Sequence, residues 1–216
     1  NANCDTLTKV LVGHIRADHE VVHLLSHRIL IVRDPRDRWI SQLLYRFHQF
    51  QKRADATSFR KAYSLLEKKV EHPGRVSTRE LTDDINELAG LNRGKLGNLR
   101  GQLSMLLEFR NKFDPHVVRY EDFVDARTCD LEQYIGCVLP STVVVDKQFA
   151  RVARTCSYGE WRKWLTPDDV AWINHEIGDQ LLLLGYELEN HVPESPSISH
   201  ETSLCYVSQF DPEKHS

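Results

Sequence analysis

Apolar residues along this chain fall into two kinds of run. The first kind is short and continuous. Ile29-Leu30-Ile31-Val32 is rich in β-branched residues, too short for a helix and flanked by Arg28 and Arg33, which predicts a strand buried on both faces of a parallel sheet. Leu7 to Gly13 predicts another strand, ending at His14, with Ile15-Arg16 leading into a helix around Glu20 to Leu25. His116-Val117-Val118-Arg119-Tyr120 predicts a third.

The second kind recurs every three or four residues and predicts helices. Trp39, Leu43, Leu44 and Phe47 form one stripe, and Phe59, Ala62, Tyr63, Leu66 and Val70 a second. Leu99, Leu103, Leu106 and Leu107 lie in a helix from Asn98 to Phe113, and Val170, Ile173, Ile177, Leu181 and Leu184 form the last stripe. Their ends carry matching signals. Asp34 can cap a helix whose first turn holds Pro35, and Ser77-Thr78-Arg79-Glu80 opens a helix running to about Ala89 and stopped by Gly90. Pro73-Gly74 ends the Phe59 helix, a short helix spans Asp130 to Val138, and Thr166-Pro167-Asp168-Asp169 starts the last long one, which ends at Gly185.

Organisation follows from these runs. One main unit covers residues 1–188, with residues 51–101 a charged, helical insertion placed to act as an acceptor-site lid. Gly90 to Gly101 is Gly-rich and basic, but it lacks P-loop spacing and follows no strand, so it reads as a flexible loop. From Glu189 onward Pro193, Pro196 and several Ser and His residues show no periodicity, which predicts a loose tail over 189–216.

Composition narrows the classes. With 216 residues the chain suits one domain with a sizeable core, and 28 basic against 31 acidic residues leave a formal net charge of −3. That balance argues against a nucleic-acid-binding tail or a polybasic membrane segment, and no apolar run approaches the roughly 20 residues that span a bilayer. Five cysteines, Cys4, Cys129, Cys137, Cys156 and Cys205, are scattered without a C-x-x-C pair. Such a set argues for free thiols in a reducing, cytoplasmic compartment and against a zinc site or any other bound metal.

The candidate chemistry lies where strands end. Arg33 stands at the carboxyl end of the Ile29–Val32 strand, the edge on which open α/β sheets bind ligands, and Ser41 lies on the helix that follows. A planar guanidinium with a nearby hydroxyl suits a phosphate group. His14, at the end of its own predicted strand, would share that edge, and an imidazole there suits a general base.

Arg33-Asp34-Pro35-Arg36-Asp37 with Ser41 resembles the 3′-phosphate-binding motif of sulfotransferases that use 3′-phosphoadenosine 5′-phosphosulfate (PAPS). The resemblance implies that Arg33 and Ser41 hold the 3′-phosphate of the donor and that His14 is the general base. Tyr120-Glu121-Asp122-Phe123 resembles the family's strand-closing signature, which implies that Tyr120 contacts the nucleotide while the carboxylates tie down the turn. Arg154, Gly159, Trp161 and Arg162 match a loop that in this family folds over the adenosine and 3′-phosphate. Thr155 and Cys156 stand where Lys and Gly are usual, leaving Arg151 or Arg162 to supply the missing cation. The implied fold is a three-layer α/β domain of the P-loop type, with helices on both faces of a parallel sheet. The implied reaction moves a sulfuryl group from PAPS to a hydroxyl or amine on a small-molecule or carbohydrate acceptor.

One family element has no counterpart before His14: the strand and Gly-Thr-type loop that cradles the 5′-phosphosulfate, a unit of about 30 residues. The chain as given is therefore expected to hold the 3′-end of the nucleotide better than the reacting end. The rival reading is a non-catalytic nucleotide-binding or interaction domain of the same fold that uses the 51–101 helices as a partner surface.

Overall fold

Strand β1 (Ile29–Val32) pairs in parallel with β2 (His116–Arg119), in register from Ile29 opposite His116 to Val32 opposite Arg119. The computed structural model describes residues 20–91, 99–139, 157–194 and 196–215. These form a mixed α/β arrangement, mostly helical, with one two-stranded sheet among the described residues. The strand expected at Leu7 to Gly13 lies outside them. A 3₁₀ turn at Glu20–Leu24 replaces the helix expected there.

Burial along β1 alternates. Leu30 and Val32 are buried, whereas Ile31 is 56% exposed. The expectation of burial on both faces is thus corrected: a continuous apolar run fits a strand with one open face as well, because pleating alone sends alternate side chains to opposite sides.

Helix α1 (Pro35–Tyr45) follows β1 immediately. The Asp34 carboxylate caps it by accepting the Arg36 N–H at 2.9 Å, and Pro35 occupies the first turn, where a missing N–H is harmless. Trp39, Ile40, Leu43 and Leu44 are fully buried, so α1 runs through the centre of the core. Each such side chain contributes roughly 1.5–3 kcal/mol of burial free energy. Helix α2 (His48–Arg53) turns sharply into α3 (Ala56–Glu71), and edge-on contacts among Phe47, Phe50 and Phe59 seal the corner.

Helices α3 and α4 (Thr78–Leu88) pack as a hairpin whose turn is held by Lys69. Its fully buried ammonium donates to the carbonyls of Pro73 at 2.7 Å and Val76 at 2.6 Å. Asp169 secures the other side of this turn. It accepts from the backbone N–H groups of Thr78 and Thr166 and from the Ser77 hydroxyl, capping two helices with one carboxylate.

Helix α5 (Leu99–Phe113) leads into β2, and Tyr120, expected to end that strand, instead opens α6 (Tyr120–Val124). After α7 (Cys129–Ile135), the short α8 (Trp161–Trp164) packs on α1, and α9 (Pro167–Leu183) packs on α5. No described helix is long and apolar enough to cross a membrane.

The loose tail is the second correction. Ile198, Leu204, Val207 and Phe210 are buried in the main core; Leu204 and Val207 lie in a helical segment covering Glu201–Cys205 and Tyr206–Ser208, with Ile198 before it and Phe210 after it. Phe210 meets the rings of Tyr45, His48 and Tyr206. Leu204, Val207 and Phe210 recur every third residue, but the stripe is too short to stand out among the Ser, Pro and His residues around it.

Candidate functional site

The turn from β1 to α1 gathers most of the charged residues singled out above. Asp34 serves two ends. Its backbone N–H donates to Glu121 Oε1 at 3.0 Å, and its carboxylate pairs with the buried Arg36 guanidinium at 2.8 Å. Glu121 also accepts the Tyr186 hydroxyl on Oε2 at 3.1 Å, and burial together with this carboxylate pushes the Tyr186 phenol far above its ordinary value. Glu121 therefore ties the end of β2 to the start of α1 and to the segment after α9. Arg36 extends the same network by donating to the Glu187 carbonyl at 3.2 Å. Asp122, next along, pairs with Arg127 at 2.8 Å.

Asp37 performs the corresponding task for the segment before α8. Almost wholly buried, it accepts the backbone N–H of Gly159 on Oδ2 at 2.6 Å and that of Trp161 on Oδ1 at 2.9 Å. Burial and the neighbouring Asp34 raise its carboxyl above the ordinary value, while the two amides and Arg33 pull it back. Gly159 has φ +75°, a left-handed conformation in which a side chain would be strained. That conformation lets two amides converge on one carboxylate.

Arg33 stands apart from its neighbours in the motif. Its guanidinium carbon lies 4.6 Å from the centre of the Tyr120 ring, a cation–π arrangement. Its Nε is enclosed and has no hydrogen-bond partner among the described residues, although the residue as a whole is half-buried. Buried N–H donors are nearly always satisfied, so an unmet donor on a cation at a strand end can take an anionic acceptor. Ser41 lies in the second turn of α1, half-buried, with no hydrogen-bond partner among the described residues.

Gly159 and Trp161 come to this site through their backbones. The Trp161 ring is fully buried between the guanidinium groups of Arg36 at 4.1 Å and Arg162 at 4.6 Å. Arg162, a candidate for the missing cation, forms a two-pronged ion pair with Glu189, which holds that carboxyl below its ordinary range. His14, Arg151 and Arg154 lie outside the described residues, so Arg33, Ser41, Tyr120, Gly159 and Trp161 are the expected site residues whose surroundings are defined. Sequence reading missed the long-range partners: Asp37 for the Gly159 amide, Tyr186 for Glu121, and Gln102, whose side-chain oxygen accepts from Arg38 at 2.5 Å. Local spacing carries no signal for such contacts.

No family model matches this chain, and neither a curated protein nor a solved structure matches it.

Proposed function

We propose that this chain is a PAPS-dependent sulfotransferase domain of three-layer, P-loop-like architecture, acting on a hydroxyl or amine of a small-molecule or carbohydrate acceptor. One observation carries the reading. Within Arg33-Asp34-Pro35-Arg36-Asp37, the residues Asp34, Arg36 and Asp37 are buried and engaged by protein partners, whereas Arg33 keeps an enclosed Nε without an acceptor.

The residues fit the donor's 3′-phosphate. Arg33 offers a planar fork held by the Tyr120 ring, Ser41 offers a hydroxyl, and Asp37 fixes the Gly159 segment beside them. The bound donor supplies an activated sulfuryl group. His14 accepts the proton that the acceptor hydroxyl loses. Glu121 and Asp37 do not touch the donor in this account; they hold the elements that do.

Calorimetric titration tests the reading. The chain is expected to bind 3′-phosphoadenosine 5′-phosphate (PAP) at least about 10-fold more tightly than adenosine 5′-monophosphate, since a hydrogen bond to a charged group is worth about 1.5–3 kcal/mol. Equal affinities would contradict it.

A further inference from the structure

Several guanidinium groups have no carboxylate partner among the described residues; Arg110 and Arg119 donate to backbone carbonyls instead. Arg36, Arg127 and Arg162 each pair with carboxylates, but the half-buried Arg38 meets only the neutral side-chain oxygen of Gln102 among the described residues. Burial pulls its guanidinium below the ordinary value. A cation partly withdrawn from water with no opposite charge is costly for a fold to keep.

The surroundings of Arg38 are rich in donors and poor in acceptors. Gln102 Oε1 receives both Arg38 Nη2 at 2.5 Å and Gln42 Nε2 at 3.3 Å. That leaves the Gln102 amide group, the second Gln42 N–H and the other Arg38 N–H groups without an acceptor among the described residues. The unpartnered nitrogens of Arg38 and Gln102 are not enclosed, so solvent and an anion can reach them. Positive charge and several uncommitted N–H groups within reach of solvent together describe a receptor for an oxyanion.

We propose that Arg38, Gln42 and Gln102 form an oxyanion site, separate from that of Arg33, which holds a carboxylate or sulfate ester carried by the acceptor. Arg38 lies three residues before Ser41, on the same face of α1, so an acceptor anchored here sits next to the donor's 3′-phosphate site. The site itself stands on Arg38 and Gln102; assigning its anion to an acceptor rests on the sulfotransferase reading.

The test follows the Arg38 Nε–Hε NMR signal while sodium sulfate replaces sodium chloride at constant ionic strength, with and without saturating PAP. A saturable shift that persists under saturating PAP is expected. No saturable shift overturns the site, and a shift that PAP abolishes overturns it as an acceptor site by assigning Arg38 to the nucleotide. If PAP does not bind while the sulfate shift remains, the oxyanion site stands and the sulfotransferase reading falls. Two variants sharpen the result. Arg38→Gln should weaken sulfate binding at least about 10-fold, and Gln102→Glu should do the same while raising the melting temperature, because the new carboxylate fills the site from within. A folded Gln102→Glu protein that binds sulfate as wild type does would overturn the proposal.

Discussion

The guanidinium of Arg33 rests on the ring of Tyr120 at 4.6 Å, joining the carboxyl end of β1 to the first residue after β2. The two strands are parallel, so both residues emerge on the same sheet edge, and the ring restricts where the guanidinium can go. A cation held in place before binding loses less conformational freedom when an anion arrives.

Tyr120→Leu tests that restriction. A cation–π contact of this kind is worth about 0.5–2 kcal/mol, so affinity for PAP should fall about 2- to 30-fold. Melting temperature should change little, because Tyr120 is only half-buried. Unchanged PAP affinity would show that the ring does not position Arg33.

Asp37→Ala removes the acceptor for two amides at once. Leaving the Gly159 and Trp161 N–H groups unmet should cost about 2–4 kcal/mol, read from the midpoint of urea unfolding. PAP affinity should fall as well, since the segment before α8 loses its attachment to α1. A loss below about 1 kcal/mol would mean that the segment is held by the Trp161 ring alone.

Much of this architecture is legible in the sequence, for definite reasons. Helix α1 is readable because Asp34 and Pro35 signal its start and Trp39, Leu43 and Leu44 its buried stripe, all within a dozen residues. The capping box of α9, with Thr166 and Asp169, is readable in the same way. What escapes is the second use of such residues. Asp169 also caps α4 from about 90 positions away, and Asp37 receives amides more than 120 positions away. The packed C-terminal segment escapes because its apolar stripe, Leu204, Val207 and Phe210, is only three residues long. At the candidate site, the motif singles out Arg33 and Ser41, but only the structure separates Arg33, with its unmet donor, from Arg36, which is fully engaged.

Lys69 gives a pH-dependent prediction. Burial lowers its ammonium from 10.5 to about 8, with Asp169 opposing the shift. Folding therefore disfavours the charged form. Its contribution to stability is fully present above about 10.5, falls as pH drops towards 8 and is constant below that. The difference in unfolding free energy between wild type and Lys69→Met should rise with pH between about 8 and 10.5, by up to about 1 kcal/mol per pH unit. A difference flat across that range would contradict a buried ammonium.

His14→Ala separates a general base from a binding residue. In enzyme with measurable turnover, kcat should drop by about 10²–10⁴ while donor affinity stays within about 3-fold, because proton transfer acts in the transition state. Equal losses in both would make His14 a binding or structural residue.

The most direct measurement compares two ligands on two proteins. PAP and adenosine 5′-monophosphate are titrated calorimetrically into wild type and Arg33→Ala. If Arg33 grips the 3′-phosphate, the substitution weakens PAP about 10- to 150-fold and leaves adenosine 5′-monophosphate nearly unchanged, and misfolding is ruled out because it would weaken both alike. A wild type without preference for PAP, or an Arg33→Ala protein that keeps the preference in full, would contradict the account.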